Sequence, residues 1–181
     1  MTPMSTTTIQ RPAALHYDRL TIALHWATVV LVALLWPGGQ TVDILGHAGT
    51  PTLRAIHISL GLTLAAVLVA RVLWRNTGGR HLQGLGHGLL DRVAHLGHLA
   101  LYVVAVTTVC LGIATAWIAG DSVFGLFTFP GHDRILARTI RHWHSFAANT
   151  ILILALGHAA VALLHQYVLR DGTLDRMLPP R

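Results

Sequence analysis

The chain of 181 residues contains no lysine, no glutamate and only one cysteine. Because Cys110 is alone and lies inside an apolar run, the sequence excludes an internal disulfide, a thiolate-bound iron–sulfur cluster and a C-x-x-C-H cofactor-attachment motif. The absence of glutamate excludes the H-x-E and H-E-x-x-H motifs of zinc deaminases and zinc metalloproteases. Several large classes of soluble enzyme are therefore ruled out by residues that are missing.

Charged residues are also scarce, at 11% of the chain against 53% hydrophobic residues. This balance is typical of a membrane protein rather than of a water-soluble domain. The net charge of +6 comes from arginines that lie between apolar runs and form no basic face interleaved with aromatic residues, so we reject nucleic acid as a partner. Histidine is unusually frequent for such a chain, with 13 residues, and imidazole is costly in hydrocarbon.

Four long apolar runs predict four transmembrane helices, at about 19–37, 54–75, 92–119 and 141–169. Pro37, followed by two glycines, predicts the end of the first helix. A cleaved signal peptide is the alternative for the first run, but few positive charges precede it and no A-x-A-like site follows it. Arg71 lies in the last turn of the second run, where its side chain can snorkel to the interface. The predicted fold class is all-α, a membrane four-helix bundle.

The arginines predict the orientation of this bundle. Four spans place both chain ends and the loop 75–92 on one side, which carries nine arginines, whereas the other side carries four. By the positive-inside rule, both termini are cytoplasmic. We therefore expect a transmembrane domain over residues 17–176 between cytoplasmic tails at 1–16 and 177–181, with the glycine-rich stretch Gly78–Gly88 as a flexible cytoplasmic connection.

The fourth run contains the most informative histidines. His144 and His158 are fourteen residues apart, which places them within ~40° of one helical face and ~21 Å apart along the axis. One helix can therefore ligate two stacked cofactors, one in each leaflet of the bilayer.

Each of these histidines has a counterpart at matching depth on another helix. His57 lies three residues inside Arg54, as His144 lies three residues inside Arg141 at the same end of the bundle. His25 lies on the cytoplasmic half of helix one, at the level of His158. Because histidine is a standard axial ligand of haem iron, the spacing predicts two b-type haems, held by His57 with His144 and by His25 with His158.

Alternatives to haem remain for these positions. A single membrane histidine is more often a packed residue bonded to a neighbouring helix, and a haem-free protein with structural histidines stays open. Small residues near the histidines leave room for a porphyrin but equally suit close helix packing; they are Gly61, Ala147, Ala148, Gly157, Ala159 and Ala160.

Other histidines are candidates for quinone or proton chemistry. His165 follows His158 by two turns on the same face, ~10 Å nearer the cytoplasm, where a quinone headgroup or a proton relay would meet the inner haem. His95 and His98 open helix three on the cytoplasmic side and are candidates for haem propionate or quinone contact, with packing as the alternative. We expect His142 to flank helix four without a specific role.

The chain resembles the bacterial cytochrome b561 family over roughly Tyr17 to Pro180. The matching segments are YDRLTIALHW, RAIHISLGL, AHLGHLALY, and WHSFAANTILILALGHAAVALLHQY followed by DGTLDRMLP. The resemblance implies a four-helix bundle in the bacterial inner membrane with two haem b groups, whose four axial ligands fall on the histidines that spacing selected. The family's quinone-site histidine matches His165.

The resemblance also implies an activity. The family includes a superoxide oxidase, which passes an electron from superoxide at the outer face to ubiquinone. The chain is also similar to cytochrome b subunits that anchor hydrogenases and other dehydrogenases. A role as such an anchor subunit remains the alternative. Arg54, Arg134, Arg138 and Arg141 lie beside the predicted outer haem. They would steer an anionic substrate, or else serve as interfacial anchors and propionate partners.

Overall fold

The computed structural model describes residues 16–49, 51–80, 82 and 88–179. Of residues 45–49, 89 and 90, only the backbone is described. The expectations for tail 1–16, apart from His16, for residues 180–181 and for most of the Gly78–Gly88 connection therefore lie outside the described residues. Within the described part, four long helices follow one another: α1 (Arg19–Gly49), α2 (Pro51–Thr77), α3 (Leu89–Ala119) and α4 (Arg134–Leu164).

All four helices are long and apolar enough to cross a membrane. The corresponding segments are Arg19–Ile44, Pro51–Thr77, Asp91–Ala119 and Arg134–Leu169. Many large apolar side chains on their outer faces are exposed, among them Leu34, Val69, Val103 and Ile153. Side chains of this kind suit lipid rather than water, so the all-α membrane bundle predicted from the sequence is confirmed.

Two helix ends differ from the prediction. Helix α1 continues through Pro37 to Gly49, so the predicted end at 37 is wrong. Proline costs the helix the hydrogen bond that its amide would donate to the carbonyl of Ala33, but the helix continues past this single lost bond. Helix α4 begins at Arg134 rather than 141, because Asp133 caps it by accepting from the amides of Ile135 and Leu136 at 3.0 and 2.9 Å. Hydropathy locates the apolar span, whereas capping locates the helix end.

A short hairpin joins α3 to α4 at the end of the bundle that the sequence predicts to face outward, which is called the outer end below. Its strands are β1 (Ser122–Val123) and β2 (Phe127–Thr128), paired antiparallel. Phe124 and Gly125 turn the chain with φ angles of 52° and 68°, a region that glycine enters freely and phenylalanine rarely. The Phe124 amide donates to Ser59 Oγ at 2.8 Å, which fixes the hairpin to α2.

A small apolar core separates the two ends of the bundle. Leu64, Leu68, Ala105 and Ile151 form it, surrounded by partly buried residues of α1 and α3. Ile151 is seven residues from both His144 and His158. The core layer therefore lies between the two histidine levels.

The described chain ends meet at the other end of the bundle. The Tyr17 amide donates to the Arg176 carbonyl at 3.0 Å, and Trp26 Nε1 donates to the Met177 carbonyl at 2.8 Å. Asp18 accepts from the Thr21 amide and hydroxyl and from Trp74 Nε1. Burial would raise the pKa of Asp18, but these hydrogen bonds outweigh it and hold the pKa far below its ordinary value. This carboxylate thus ties α1 to α2 where the first and last described segments converge.

Candidate functional site: two histidine pairs at different depths

The outer pair consists of His57 on α2 and His144 on α4. Their ring centres are 6.2 Å apart and their planes cross at 87°. His144 Nδ1 lies 2.9 Å from the Thr108 carbonyl oxygen. A carbonyl can only accept, so Nδ1 carries the proton and the Nε2 lone pair is left available to a metal ion.

Glycines of the neighbouring helices leave space for both outer rings. A Cβ at Gly39 would lie 3.1 Å from His57 Cε1, and a Cβ at Gly112 would lie 3.0 Å from His144 Cε1. The Nδ1 atom of His57 is buried and makes no hydrogen bond of ordinary distance and angle among the described residues, and the backbone of Leu35 acts on its ring only through a contact of poorer geometry. The outer level thus combines tightly seated imidazoles with a ring nitrogen that has no well-formed hydrogen bond.

The inner pair consists of His25 on α1 and His158 on α4. Their ring centres are 6.4 Å apart and their planes cross at 67°. His98 lies beside His158, with ring centres 5.2 Å apart, and its Nδ1 donates to the Ala94 carbonyl at 2.7 Å. The structure therefore brings His98 to the inner level. His95 instead lies with Asp91 and Arg92 in an open surface groove at the start of α3.

Arg71 reaches into this inner level. Its Nη2 lies 3.1 Å from His25 Nδ1, and its guanidinium carbon lies 5.2 Å from the centre of the Tyr102 ring. The expectation that Arg71 snorkels to the interface is therefore wrong. The aromatic face and the imidazole give the cation a partner inside the bundle.

Both pairs fit a metal ion held between two imidazoles. A metal–imidazole bond is about 2 Å long, so the ring centres of two imidazoles on opposite sides of one ion lie about 6 Å apart. At Gly61 and Gly157 an added Cβ would meet no atom within 4 Å. These two glycines therefore border open space rather than close helix contacts.

His165 lies below the inner pair, where α4 continues as a π-helix over His165–Leu169. Its Nδ1 is 2.5 Å from Asp171 Oδ2, and Asp171 Oδ1 accepts from the Thr173 hydroxyl at 2.6 Å. The Thr173 hydroxyl and His165 together lower the pKa of Asp171 to about 2. Single π turns are frequent at functional sites, and this one pairs His165 with a fixed carboxylate.

An arginine-lined pocket of about 630 Å³ opens at the outer end. Its charged lining consists of Arg54, Asp121, Arg134, Arg138 and Arg141. Arg54 Nη1 pairs with Asp121 Oδ1 at 3.2 Å, with side chains 20% and 15% exposed. The structure thus brings together the four arginines that the sequence grouped, and adds an aspartate that the sequence reasoning missed.

Several of the site residues were not identified from the sequence, among them Thr108, which contacts His144, and Asp171, which contacts His165. Gly39, Gly112 and Asp121 carry no motif that marks them, because their roles depend on helix contacts. Arg71 could have been singled out, because an arginine within an apolar run indicates a functional or paired position in a membrane helix. Its contact with His25 depends on how α2 is rotated against α1, which the sequence does not specify.

Four apolar helices that hold two histidine pairs at different depths define a membrane protein of the cytochrome b type. The chain belongs to the prokaryotic cytochrome b561 family, whose model matches residues 16–180. It is 29% identical over 171 residues to the probable superoxide oxidase CybB of Yersinia pestis, covering 91% of this chain and 97% of that protein.

Two further relatives carry only cytochrome names. Cytochrome b562 of Cereibacter sphaeroides is 32% identical over 175 residues, covering 91% of this chain and 96% of that protein. Cytochrome b561 homolog 2 of Escherichia coli is 30% identical over 173 residues, covering 90% of each. The family binds haem b and transfers electrons within the membrane. The chain is therefore a haem-binding electron-transfer protein of the prokaryotic inner membrane.

Proposed function

We propose that the chain is a superoxide oxidase with two haems b, one between His57 and His144 and one between His25 and His158. The observation that carries the proposal is the presence of two imidazole pairs, with ring centres 6.2 and 6.4 Å apart, at two levels of one helix. The bound haems would supply one-electron carriers. The overall reaction converts two superoxide anions, one ubiquinone and two protons into two molecules of dioxygen and one ubiquinol.

The outer pocket supports an anionic substrate. Four arginines against one aspartate give its lining a positive charge, and converging positive charge raises the local concentration and encounter rate of a small anion. The pocket is lined by the end of α3, by the hairpin and by the outer ends of α2 and α4, and these last two helices also carry His57 and His144. A relative named probable superoxide oxidase points to the same substrate.

The opposite end supports quinone reduction. We propose that His165 contacts the ubiquinone headgroup, and that Asp171 holds its Nδ1 so that Nε2 can face the headgroup. The excess of arginines on the side of the chain ends supports a cytoplasmic location for that side. Protons for ubiquinol would then come from the cytoplasm, next to the exposed Asp171.

The proposal is tested with purified holoprotein in lipid nanodiscs. Pyridine haemochrome analysis should give two haems b per chain, and rapid mixing with superoxide should give one ubiquinol per two superoxide anions. The His144→Ala variant should lose this activity. Absence of b-type absorbance, or ubiquinone reduction no faster than without protein, would contradict the proposal.

A second candidate function is the membrane anchor of a periplasmic dehydrogenase or hydrogenase. The hairpin at the outer end favours it, because Phe124, Leu126 and Phe127 are 60%, 91% and 56% exposed beside the pocket. Exposed apolar groups of this kind are typical of partner contacts. Stable co-purification of a periplasmic subunit, together with no reaction with superoxide, would select this function.

A further inference from the structure

Three of the four arginines in the outer pocket lie side by side on one helix. Arg134, Arg138 and Arg141 follow one another on α4 at spacings of four and three residues, so each is a neighbour of the next on the helix surface. Like charges at these spacings repel one another and destabilise a helix. An anion bound between them would remove this repulsion.

The acidic groups at the same end of the bundle do not pair with these three arginines. Asp121 forms a salt bridge with Arg54, Asp133 uses its carboxylate to cap the first turn of α4, and Asp43 accepts from Ser145 and does not line the pocket. Within the part of the chain that the structure describes, the three α4 arginines form no salt bridge. The positive charge of the pocket is therefore concentrated on α4.

Two hydroxyl groups of the hairpin line the same pocket. Ser122 and Thr128 are opposite each other in the pairing of β1 with β2, so their side chains lie on the same face of the hairpin, and both residues line the pocket. Neither hydroxyl has a hydrogen-bond partner among the described residues. Arginine binds the oxygens of a phosphate group through two parallel hydrogen bonds, and serine and threonine hydroxyls are further common partners of phosphate.

The pocket is larger than superoxide requires. Superoxide has two atoms, whereas the pocket volume of about 630 Å³ lies within the roughly 300–1,000 Å³ of ordinary ligand sites. Arg134 and Arg141 are seven residues apart, or ~10 Å along the helix axis. A phosphate group offers more oxygens than superoxide, and neighbouring guanidinium and hydroxyl groups can bind these oxygens at the same time.

We propose that the outer pocket binds a phosphate group, which belongs either to inorganic phosphate or to the headgroup of an anionic phospholipid. Its side-chain partners are Arg134, Arg138, Arg141, Ser122 and Thr128. Both sources reach the pocket, because it lies where α2 and α4 begin and α3 ends, at the border between the apolar spans and the headgroups.

A phosphate group in this pocket also regulates the proposed reaction. Its negative charge cancels the positive charge that attracts superoxide, so the reaction of superoxide with the outer haem becomes slower. This consequence rests on the proposed function, whereas the binding of phosphate does not. Binding and competition are therefore measured separately.

Binding is tested with the purified holoprotein in maltoside micelles, which contain no phosphate group. Isothermal titration calorimetry with inorganic phosphate should show saturable binding of one phosphate per chain. Arg138→Gln should weaken this binding about tenfold or more, because a charged hydrogen-bond donor is lost. Ser122→Ala should weaken it about threefold. Arg92→Gln removes an exposed arginine at the opposite end of the bundle and should leave it unchanged.

The serine variant separates a built site from general attraction of anions. Ser122→Ala keeps the net charge, so charge alone predicts no change in phosphate affinity. It also tests the site if Arg138→Gln does not fold. Wild-type protein without saturable binding, or an Arg92→Gln variant that binds as weakly as Arg138→Gln, would overturn the phosphate site.

A competition experiment in the same micelles distinguishes the two sources. Phosphatidylglycerol, added at a few molecules per chain, should displace inorganic phosphate if the headgroup is the occupant. Diacylglycerol with the same chains lacks the phosphate group and should displace nothing. If phosphatidylglycerol also displaces nothing, the occupant is inorganic phosphate.

Kinetics test the regulation. Replacement of chloride by phosphate at constant ionic strength should lower the second-order rate constant for haem reduction by superoxide about twofold or more, and this difference should shrink in Ser122→Ala. Saturable binding without any slowing would overturn the competition between the two anions. Absence of binding would leave the proposed function standing if superoxide still reduced ubiquinone. Phosphate binding to a protein that does not react with superoxide would keep the site and overturn the proposed function.

Discussion

The outer and inner histidine levels use similar ligand geometry in different surroundings. Ring centres are 6.2 Å apart in the outer pair and 6.4 Å apart in the inner pair. The outer rings are seated against glycines and lie near an arginine-lined pocket, whereas the inner rings lie near Arg71, His98 and Tyr102. Similar ligands in different surroundings allow two copies of one cofactor to have different reduction potentials.

This difference matches the tasks that we propose for the two ends. The outer end faces a small anion and needs positive charge near the entrance, which its four arginines supply. The inner end faces a neutral quinone and needs a group that handles protons, and there His165 is paired with Asp171. Experiments that damage one level and spare the other test whether the two levels are independent.

The largest effect is expected when one of the two histidine pairs loses a ligand. His144→Ala removes the outer ligand on α4 and His158→Ala removes the inner one, so each should lower the haem content from two per chain to one. Each should also abolish superoxide-dependent ubiquinone reduction, because neither haem alone spans the bundle. Pyridine haemochrome assays and rapid mixing measure the two results.

The matched control is His142→Ala, at a flanking position of the same helix, where the ring meets Trp143 edge-on. This variant should keep both haems. If either pair variant kept both haems, or lost both, the assignment of one pair to each haem would be wrong.

A smaller effect on the outer level is expected from Gly112→Ala. The new Cβ would lie 3.0 Å from His144 Cε1, so the ring must shift. Overpacking of this kind costs about 1–3 kcal/mol, and the outer haem should be bound only in part while the inner haem is kept. Gly97→Ala adds the same methyl group on α3 at an exposed position where it meets no atom within 4 Å, and it should leave the haem content unchanged. Equal haem content in both variants would contradict the tight seat of His144.

Much of this arrangement could be predicted from the sequence. The four spans follow from apolar runs that have to cross the bilayer, and the histidine pairs follow from helical periodicity together with depth relative to flanking arginines. The structure brings His57 to His144 and His25 to His158, the same pairs that the spacing selected. Positions along a helix axis are therefore readable from the sequence, because the rise per residue is fixed.

The surroundings of the pairs could not be predicted in the same way. Contact of Arg71 with His25, and of Gly112 with His144, depends on the rotation of one helix about its axis relative to another. That rotation results from the packing of many side chains together, so no short motif encodes it. The ends of α1 and α4 were missed for a local reason, since Pro37 is accommodated within a helix and Asp133 caps outside the apolar run.

A moderate effect limited to the inner end is expected from Asp171→Asn. Loss of the carboxylate leaves His165 less firmly held, so the KM for ubiquinone should rise about threefold to tenfold. This is less than the roughly 10–100-fold loss of affinity or activity that follows when a residue supporting a metal ligand is mutated. The rate at which superoxide reduces the haems should not change. Steady-state and rapid-mixing kinetics separate these two results, and equal loss of both would indicate general damage.

The pH dependence of this contact follows from the lowered pKa of Asp171. The pKa falls from 3.8 to about 2 in the folded protein, so the carboxylate contributes fully above pH 4. Its contribution is lost only as the pH falls through about 2. The wild-type and Asp171→Asn proteins should therefore differ by a constant factor in KM between pH 5 and 8. A difference that vanishes within this range would show that another group controls the contact.

The smallest effect is expected at the entrance to the outer level. Asp121 neutralises part of the positive charge of the arginine pocket through its pair with Arg54. Asp121→Asn should therefore raise the second-order rate constant for superoxide by about twofold. Arg138→Gln removes a positive charge from the pocket and should lower this rate constant by about the same factor. Both effects should shrink as salt screens the pocket. Arg92→Gln, at the opposite end, should leave this rate constant unchanged.

Because the pocket is separated from the inner pair by the apolar core, the reduction potential of the inner haem should be the same in all three variants. A pocket variant that moved that potential would show that the two levels are coupled through the bundle, and that the division of tasks between them is incomplete.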